Sequence, residues 1–320
     1  MLLREWGFYE CSNSVWMPAM STQNQYFPEP GTLEQLGSYH LLRPLRCGGY
    51  ATIYLGEHQY LHTLGAVKVL NTWFATGRDT QRFLAEATLQ AHLRHPHIVR
   101  VLDFGVEERI PFLVMEYAPH GTLQDRFPQQ SQVALDVVLP YVLQLGAALQ
   151  YMHDNGVLHC DVKPQNVLLG PQEEVWLCDF GIATSVLKHY QETTDGSNGT
   201  ALYAAPEQIH GRPEPASDQY ALGIMLYTWL CGHFPFSGST TQVCHQHLYI
   251  LPEPIRVLMP EVPIAIGRVV MRALAKEPAR RFPNITAFMK ALQQAAHARP
   301  TLSRGPLKWA RSLFHAKHTP

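Results

Sequence analysis

The sequence has no CxxC pair among Cys11, Cys47, Cys160, Cys178, Cys231 and Cys244. This removes the usual signature of a zinc site or disulfide framework from a chain of 320 residues, which is large enough to fold without staples. The thiols are therefore expected to be reduced, as in a cytoplasmic protein. Excess charge is missing as well. With 25 Lys and Arg against 26 Asp and Glu, no global positive field exists to condense on nucleic acid, and that function class is set aside. No apolar run approaches the ~20 residues of a membrane-spanning helix, and the N-terminal MLLREWGFYECSNS lacks the apolar stretch of a secretory signal. No repeat with a period of roughly 20 to 50 residues is visible, which excludes solenoids and propellers. With 46% hydrophobic and 16% charged residues, what remains is the composition of an ordinary globular protein.

Texture divides the chain. Residues 1–37 mix Trp, Tyr, Ser, Asn and Pro without a sustained period and read as an N-terminal extension or poorly ordered arm. From Tyr39 come short β-rich runs, YHLLRPL, ATIYLGEH and GAVKVL, then a helical pattern in DTQRFLAEATLQAHLRH that stops before Pro96, then VRVLDFGVEE and PFLVMEYA. Beyond Gly121 helical patterns dominate, at about 133–153, 217–231, 262–275 and 284–297. The expected architecture is α+β in two lobes: a small lobe with a five-stranded antiparallel sheet plus one helix, and a larger, mainly α lobe.

Between the first two strand runs lies Arg46-Cys47-Gly48-Gly49-Tyr50-Ala51-Thr52-Ile53. A glycine-rich turn there lets backbone N–H groups close over phosphates, although a plain hairpin turn reads the same way. Lys68 sits in the apolar run Ala66-Val67-Lys68-Val69-Leu70, where a charge needs a partner unless it snorkels at an edge. Glu86 on the next helix is a suitable one. Further on, His159-Cys160-Asp161-Val162-Lys163-Pro164-Gln165-Asn166 and Asp179-Phe180-Gly181 put two acids, a lysine and an amide into one pair of loops. Phosphoryl transfer from a nucleotide uses such parts: a carboxylate for the incoming hydroxyl, metal ligands between the phosphates and cations for the transition-state charge.

Taken in order, Ala66-Val67-Lys68, Glu86, His159-x-Asp161-x-Lys163-x-x-Asn166, Asp179-Phe180-Gly181 and Ala205-Pro206-Glu207, with Thr200, Asp218 and Arg281, resemble the eukaryotic-type protein kinase family over residues 39–295. The texture is similar to that of its bacterial members. The resemblance implies a kinase domain over 38–295, with a small lobe at 38–115, a hinge at 116–121 and a large lobe at 122–295. It implies Asp161 as catalytic base, Lys163 as the cation near the transferred phosphoryl, and Asn166 and Asp179 as ligands of Mg²⁺ or Mn²⁺. Lys68, oriented by Glu86, would hold the α- and β-phosphates of ATP beneath Gly48 and Gly49. Ile53, Ala66 and Leu168 would sandwich the adenine, with Met115 behind it and the backbone from Glu116 to Ala118 offering hydrogen bonds. Lys163 and Thr200 resemble the serine/threonine branch, which implies protein substrates, a signalling role and autophosphorylation. A catalytically weak or inactive pseudokinase scaffold is the rival reading, and the sequence is silent on oligomeric state.

Four positions depart from that pattern. Arg46 and Ala51 stand where the first and third glycines of the loop are expected, Cys160 replaces the usual arginine before the catalytic aspartate, and Gln90 replaces an aliphatic residue. Residues 296–320 form a basic tail in which Arg299, Arg304, Lys308, Arg311 and Lys317 meet no acid. At 100° per residue, Leu307 to His318 separates Lys308, Arg311, His315 and His318 from Leu307, Trp309, Leu313 and Phe314, a side interrupted only by Lys317. Such a helix suits peripheral contact with an anionic membrane or an acidic partner; a solvated tail or a helix packed on the large lobe are the alternatives.

Overall fold

The computed structural model describes residues 34–48, 51–71, 77–129, 131–180 and 201–298. Its first part is an antiparallel sheet of β1 (Gln35–Leu36), β2 (Tyr39–Cys47), β3 (Ala51–His58), β4 (Leu64–Leu70), β5 (Val101–Glu107) and β6 (Ile110–Glu116). The strands lie side by side in the order β1-β2-β3-β4-β6-β5. Five of these are the expected strands, and β1 is an addition. It turns into β2 through Gly37, whose φ of 54° is left-handed and where a Cβ would stand 2.9 Å from the Phe112 ring. Leu36 is buried and paired with Tyr39. A two-residue strand carries no alternation by which its sequence could show it.

Helix α1 (Gly77–His92) packs Phe83 and Ala87 against Leu70, Val99, Leu113 and Met115 to close the small-lobe core. Gln90 follows Ala87 by nearly a turn and is also buried. Its amide Nε2 lies 3.5 Å from the Val99 carbonyl and 3.7 Å from the Met115 sulfur. The polar departure in this helix is thus satisfied locally.

The large lobe is helical, with short α2 (Leu123–Arg126) and α4 (Pro206–Ile209) beside the longer α3 (Leu135–Asp154), α5 (Pro215–Cys231), α6 (Thr240–Tyr249), α8 (Ile264–Ala273) and α9 (Ile285–His297), and α7 (Ile255–Leu258) between. Helix α5 is buried on every side from Ser217 to Cys231, as expected of a helix apolar all round at the centre of a lobe. Helix α3 is the one described helix with the length and composition of a membrane span. Its Val138, Val142, Leu145, Leu149 and Met152 are packed in the large-lobe core. A two-stranded ribbon, β7 (Val167–Leu169) and β8 (Val175–Leu177), lies at the junction of the lobes. The Val99 N–H donates to the Leu177 carbonyl at 3.0 Å and the Leu177 N–H to the His97 carbonyl at 2.9 Å. These bonds join the segment after α1 to the ribbon from whose Val167–Leu177 end both acidic loops emerge.

Candidate active site

Lys68 projects from the middle of β4, where burial would lower the pKa of an unpaired ammonium. Its Nζ instead lies 2.7 Å from Asp179 Oδ1 and 3.6 Å from Glu86 Oε1. Burial opposes the charged form, and the two carboxylates outweigh it, holding the lysine above its ordinary value. Asp179 shows the converse: burial raises its pKa, while the charge and hydrogen bond of Lys68 outweigh this and leave it lowered. Glu86 is raised, because burial there exceeds the help from the more distant ammonium. The expected Lys68–Glu86 pairing is present, with Asp179 as the nearer partner.

Asp161 sits in the loop between α3 and β7. Lys163 Nζ is 2.8 Å from its Oδ2, and Asn166 Nδ2 donates both to Oδ2 at 2.8 Å and to the Asp161 carbonyl at 2.9 Å. With both Nδ2 bonds directed to Asp161, the hard amide oxygen of Asn166 is the atom turned away. An amide oxygen and the Asp179 carboxylate are the oxygen donors that Mg²⁺ or Mn²⁺ prefers, so the residues fit such a cation. His159, fully buried, connects the two loops. Its Nδ1 accepts from the Asp161 N–H at 3.2 Å and its Nε2 donates to the Cys178 carbonyl at 3.1 Å. Only the neutral Nε2–H tautomer makes both bonds, and burial favours that neutral form by lowering the pKa.

The backbone before Asp161 is held from below. The N–H groups of His159 and Cys160 donate to Asp218 Oδ2 at 3.0 Å and Oδ1 at 2.8 Å. His153 Nε2 donates to Oδ2 at 2.7 Å, and Gln208 Nε2 donates to the Cys160 carbonyl. These bonds keep Cys160 at a left-handed φ of 64°, a conformation uncommon for a residue with a Cβ. Its thiol is buried, and burial pushes its pKa well up, so it is a neutral group. A neutral thiol cannot read a phosphate on the following segment. Thr193→Ala/Thr194→Ala/Ser197→Ala, in residues outside those described, is accordingly expected to keep most phosphotransfer activity; loss of most activity in a folded variant counts against this.

Ile53 on β3 and Ala66 on β4 lie on paired strands, Met115 is buried behind Ala66 as its direct partner on β6, and Leu168 bridges to Thr122 just after the hinge. The Glu116 N–H is donated to the Arg100 carbonyl at 3.0 Å. The turn bearing Gly48 is tied down by Asn71, whose Nδ2 donates to the Gly48 carbonyl at 2.7 Å, while the Gly48 N–H donates to the Ala51 carbonyl at 3.1 Å. Gly49, Gly181, Thr200 and residues 299–320 of the tail lie outside the described residues. Sequence reasoning missed Asn71, Gln208 and the anchoring by His153. A cavity of about 410 Å³ lined by Ala201, Leu202, His233, Phe234, Phe236 and Val243 among others is separate from this cluster.

Residues 39–304 match the protein kinase domain family. The chain is 33% identical over 249 residues to the serine/threonine-protein kinase PrkC of Bacillus subtilis, covering 77% of this chain and 38% of that protein. It is 37% identical over 268 residues to Pkn1 of Myxococcus xanthus, covering 81% and 38%. With PknA of Mycobacterium tuberculosis it shares 35% identity over 264 residues, 80% of this chain and 61% of that one. The chain thus spans 38% of the length of PrkC and of Pkn1.

Proposed function

From the premise that the chain belongs to the protein kinase domain family, we propose that it transfers the γ-phosphoryl group of ATP to Ser or Thr hydroxyls of proteins, its own included. The observation that carries this reading is the convergence of Lys68, Glu86 and Asp179 on one side and of Asp161, Lys163 and Asn166 on the other, joined by one buried histidine. The substrate hydroxyl attacks the γ-phosphorus, its proton passes to the Asp161 carboxylate, and the bond to the ADP oxygen breaks. Lys163 offsets the charge that builds on the transferred group, and Lys68 holds the α- and β-phosphates. Asn166 and Asp179 would hold a divalent cation, which neutralises charge on the phosphates when bound.

The adenine is assigned to Ile53, Ala66, Leu168 and Met115, the hinge contacts to Glu116 and Ala118, and the phosphate cover to Gly48 and Gly49. With labelled ATP, Mg²⁺ and a generic protein substrate, the wild-type chain is expected to incorporate phosphate and Asp179→Asn to lose it. Equal incorporation by the two, or none by either, overturns the reading, the second result favouring an inert scaffold.

A further inference from the structure

Arg46 stands where the family-like loop is expected to have glycine, and the sheet register shows where it faces. Pro44 pairs with Tyr54 and Arg46 pairs with Ile53 across β2 and β3, so Leu45 is an extra residue and the strand bulges there. A bulge of this kind sets two residues, here Leu45 and Arg46, against one, and re-aims side chains. The row continues across the sheet, with Ile53 opposite Lys68 and Lys68 opposite Leu113. Residues directly opposite one another share a face. Arg46 therefore lies on the face from which Lys68 reaches Asp179 and Ile53 meets the proposed adenine site.

Arg46 is exposed, and among the described residues no carboxylate forms an ion pair with it.

We propose that Arg46 is a nucleotide-binding residue whose guanidinium pairs with the phosphate oxygens of ATP, adding a side-chain cation to a loop that has lost two of its glycines. This rests on the kinase reading above. Two electrostatic effects compete, since a cation near Asp179 repels a divalent metal while it attracts the phosphates. A triphosphate keeps a net negative charge after binding one divalent cation, so attraction wins. The guanidinium fork also matches phosphate geometry in two parallel bonds.

The experiment is equilibrium titration of the full chain with ATP, ADP and adenosine in Mg²⁺, for wild type, Arg46→Gly and Arg46→Gln. Both variants are expected to bind ATP about tenfold more weakly, the order expected of a hydrogen bond to a charged group, with a smaller loss for ADP and none for adenosine. The wild-type advantage is expected to shrink with added salt, because the arginine is exposed. An ATP Kd within about twofold of wild type in both variants overturns the proposal. Equal weakening of adenosine also overturns it, since that marks a purely structural role in the loop. A shift confined to the KM of the protein substrate does so too, and assigns Arg46 to that substrate. If the wild type binds no nucleotide at all, the kinase reading falls and takes this inference with it, whereas nucleotide binding indifferent to Arg46 removes the inference alone.

Discussion

Asp161→Asn is expected to lower kcat for phosphoryl transfer by roughly 10² to 10⁴, the range for a positioned general base, with little change in thermal stability. Asn can still accept the bonds that Lys163 and Asn166 direct to Oδ2, so the loop keeps its shape while the group that takes the hydroxyl proton is gone. Lys68→Met is expected to nearly abolish activity for a different reason. Without the ammonium 2.7 Å from Asp179 and 3.6 Å from Glu86, two carboxylates share a confined site with no cation between them, and the nucleotide phosphates lose their anchor. Steady-state kinetics with a generic protein substrate, alongside thermal unfolding, checks both. Wild-type turnover by either folded variant shows the roles to be misassigned.

Arg281→Ala is expected to destabilise the large lobe by about 3 to 5 kcal/mol, the usual cost of leaving a buried charge without its partner. For a domain of this size that corresponds to a fall in Tm on the order of 10 °C. The side chain of Arg281 is fully buried and its guanidinium makes two bonds to Glu207, at 2.7 and 2.9 Å. Three more go to the carbonyls of Ala275, Ala216 and Lys276, at 2.8, 2.7 and 3.1 Å. Every N–H donor of an arginine is thereby engaged. Lys cannot supply this fork, so Arg281→Lys is expected to lose most of the same stability. Removing Glu207 as well is not expected to restore it, because the carbonyls of Ala275 and Lys276, which lie outside the helices, would lose the donors that Arg281 supplies. Thermal unfolding of the single and double variants checks this, and a Tm within about 2 °C of wild type for Arg281→Ala overturns it.

Strongly periodic elements and dense motifs were legible in the sequence. The five main strands, α1 and the long helices α3, α5, α8 and α9 fall close to their expected spans, because each has alternation, a continuous apolar run or an apolar face long enough to register. Helix α6 was missed: its only buried residues are Val243 and His247, too few to show a stripe. A signal existed in Ser239 and Gln242, which form a capping box at its start. The groupings Lys68–Glu86 and Asp161–Asn166 could be expected because family resemblance supplies long-range pairing that local pattern does not. Asn71 and Gln208 gave no comparable sign. Each acts by bonding a distant backbone carbonyl, and such a contact is set by tertiary placement rather than by any spacing along the chain. The bulge at Leu45 and Arg46 was hidden for a related reason, since a one-residue register shift in β2 becomes visible only against its partner strand.

A single carboxylate, Asp218, receives consecutive peptide N–H groups from His159 and Cys160 and fixes a left-handed turn immediately before Asp161. Free chain visits that turn rarely, and confining a residue's backbone to one well has an entropic cost of about 1 to 2 kcal/mol. Here the confinement is completed during folding and is not repeated at each turnover. On the proposed reading, the dipoles around Asp161 stand oriented before any nucleotide binds, and the reorganisation energy of the chemical step falls mainly on the substrate hydroxyl and on the small-lobe groups assigned to the phosphates.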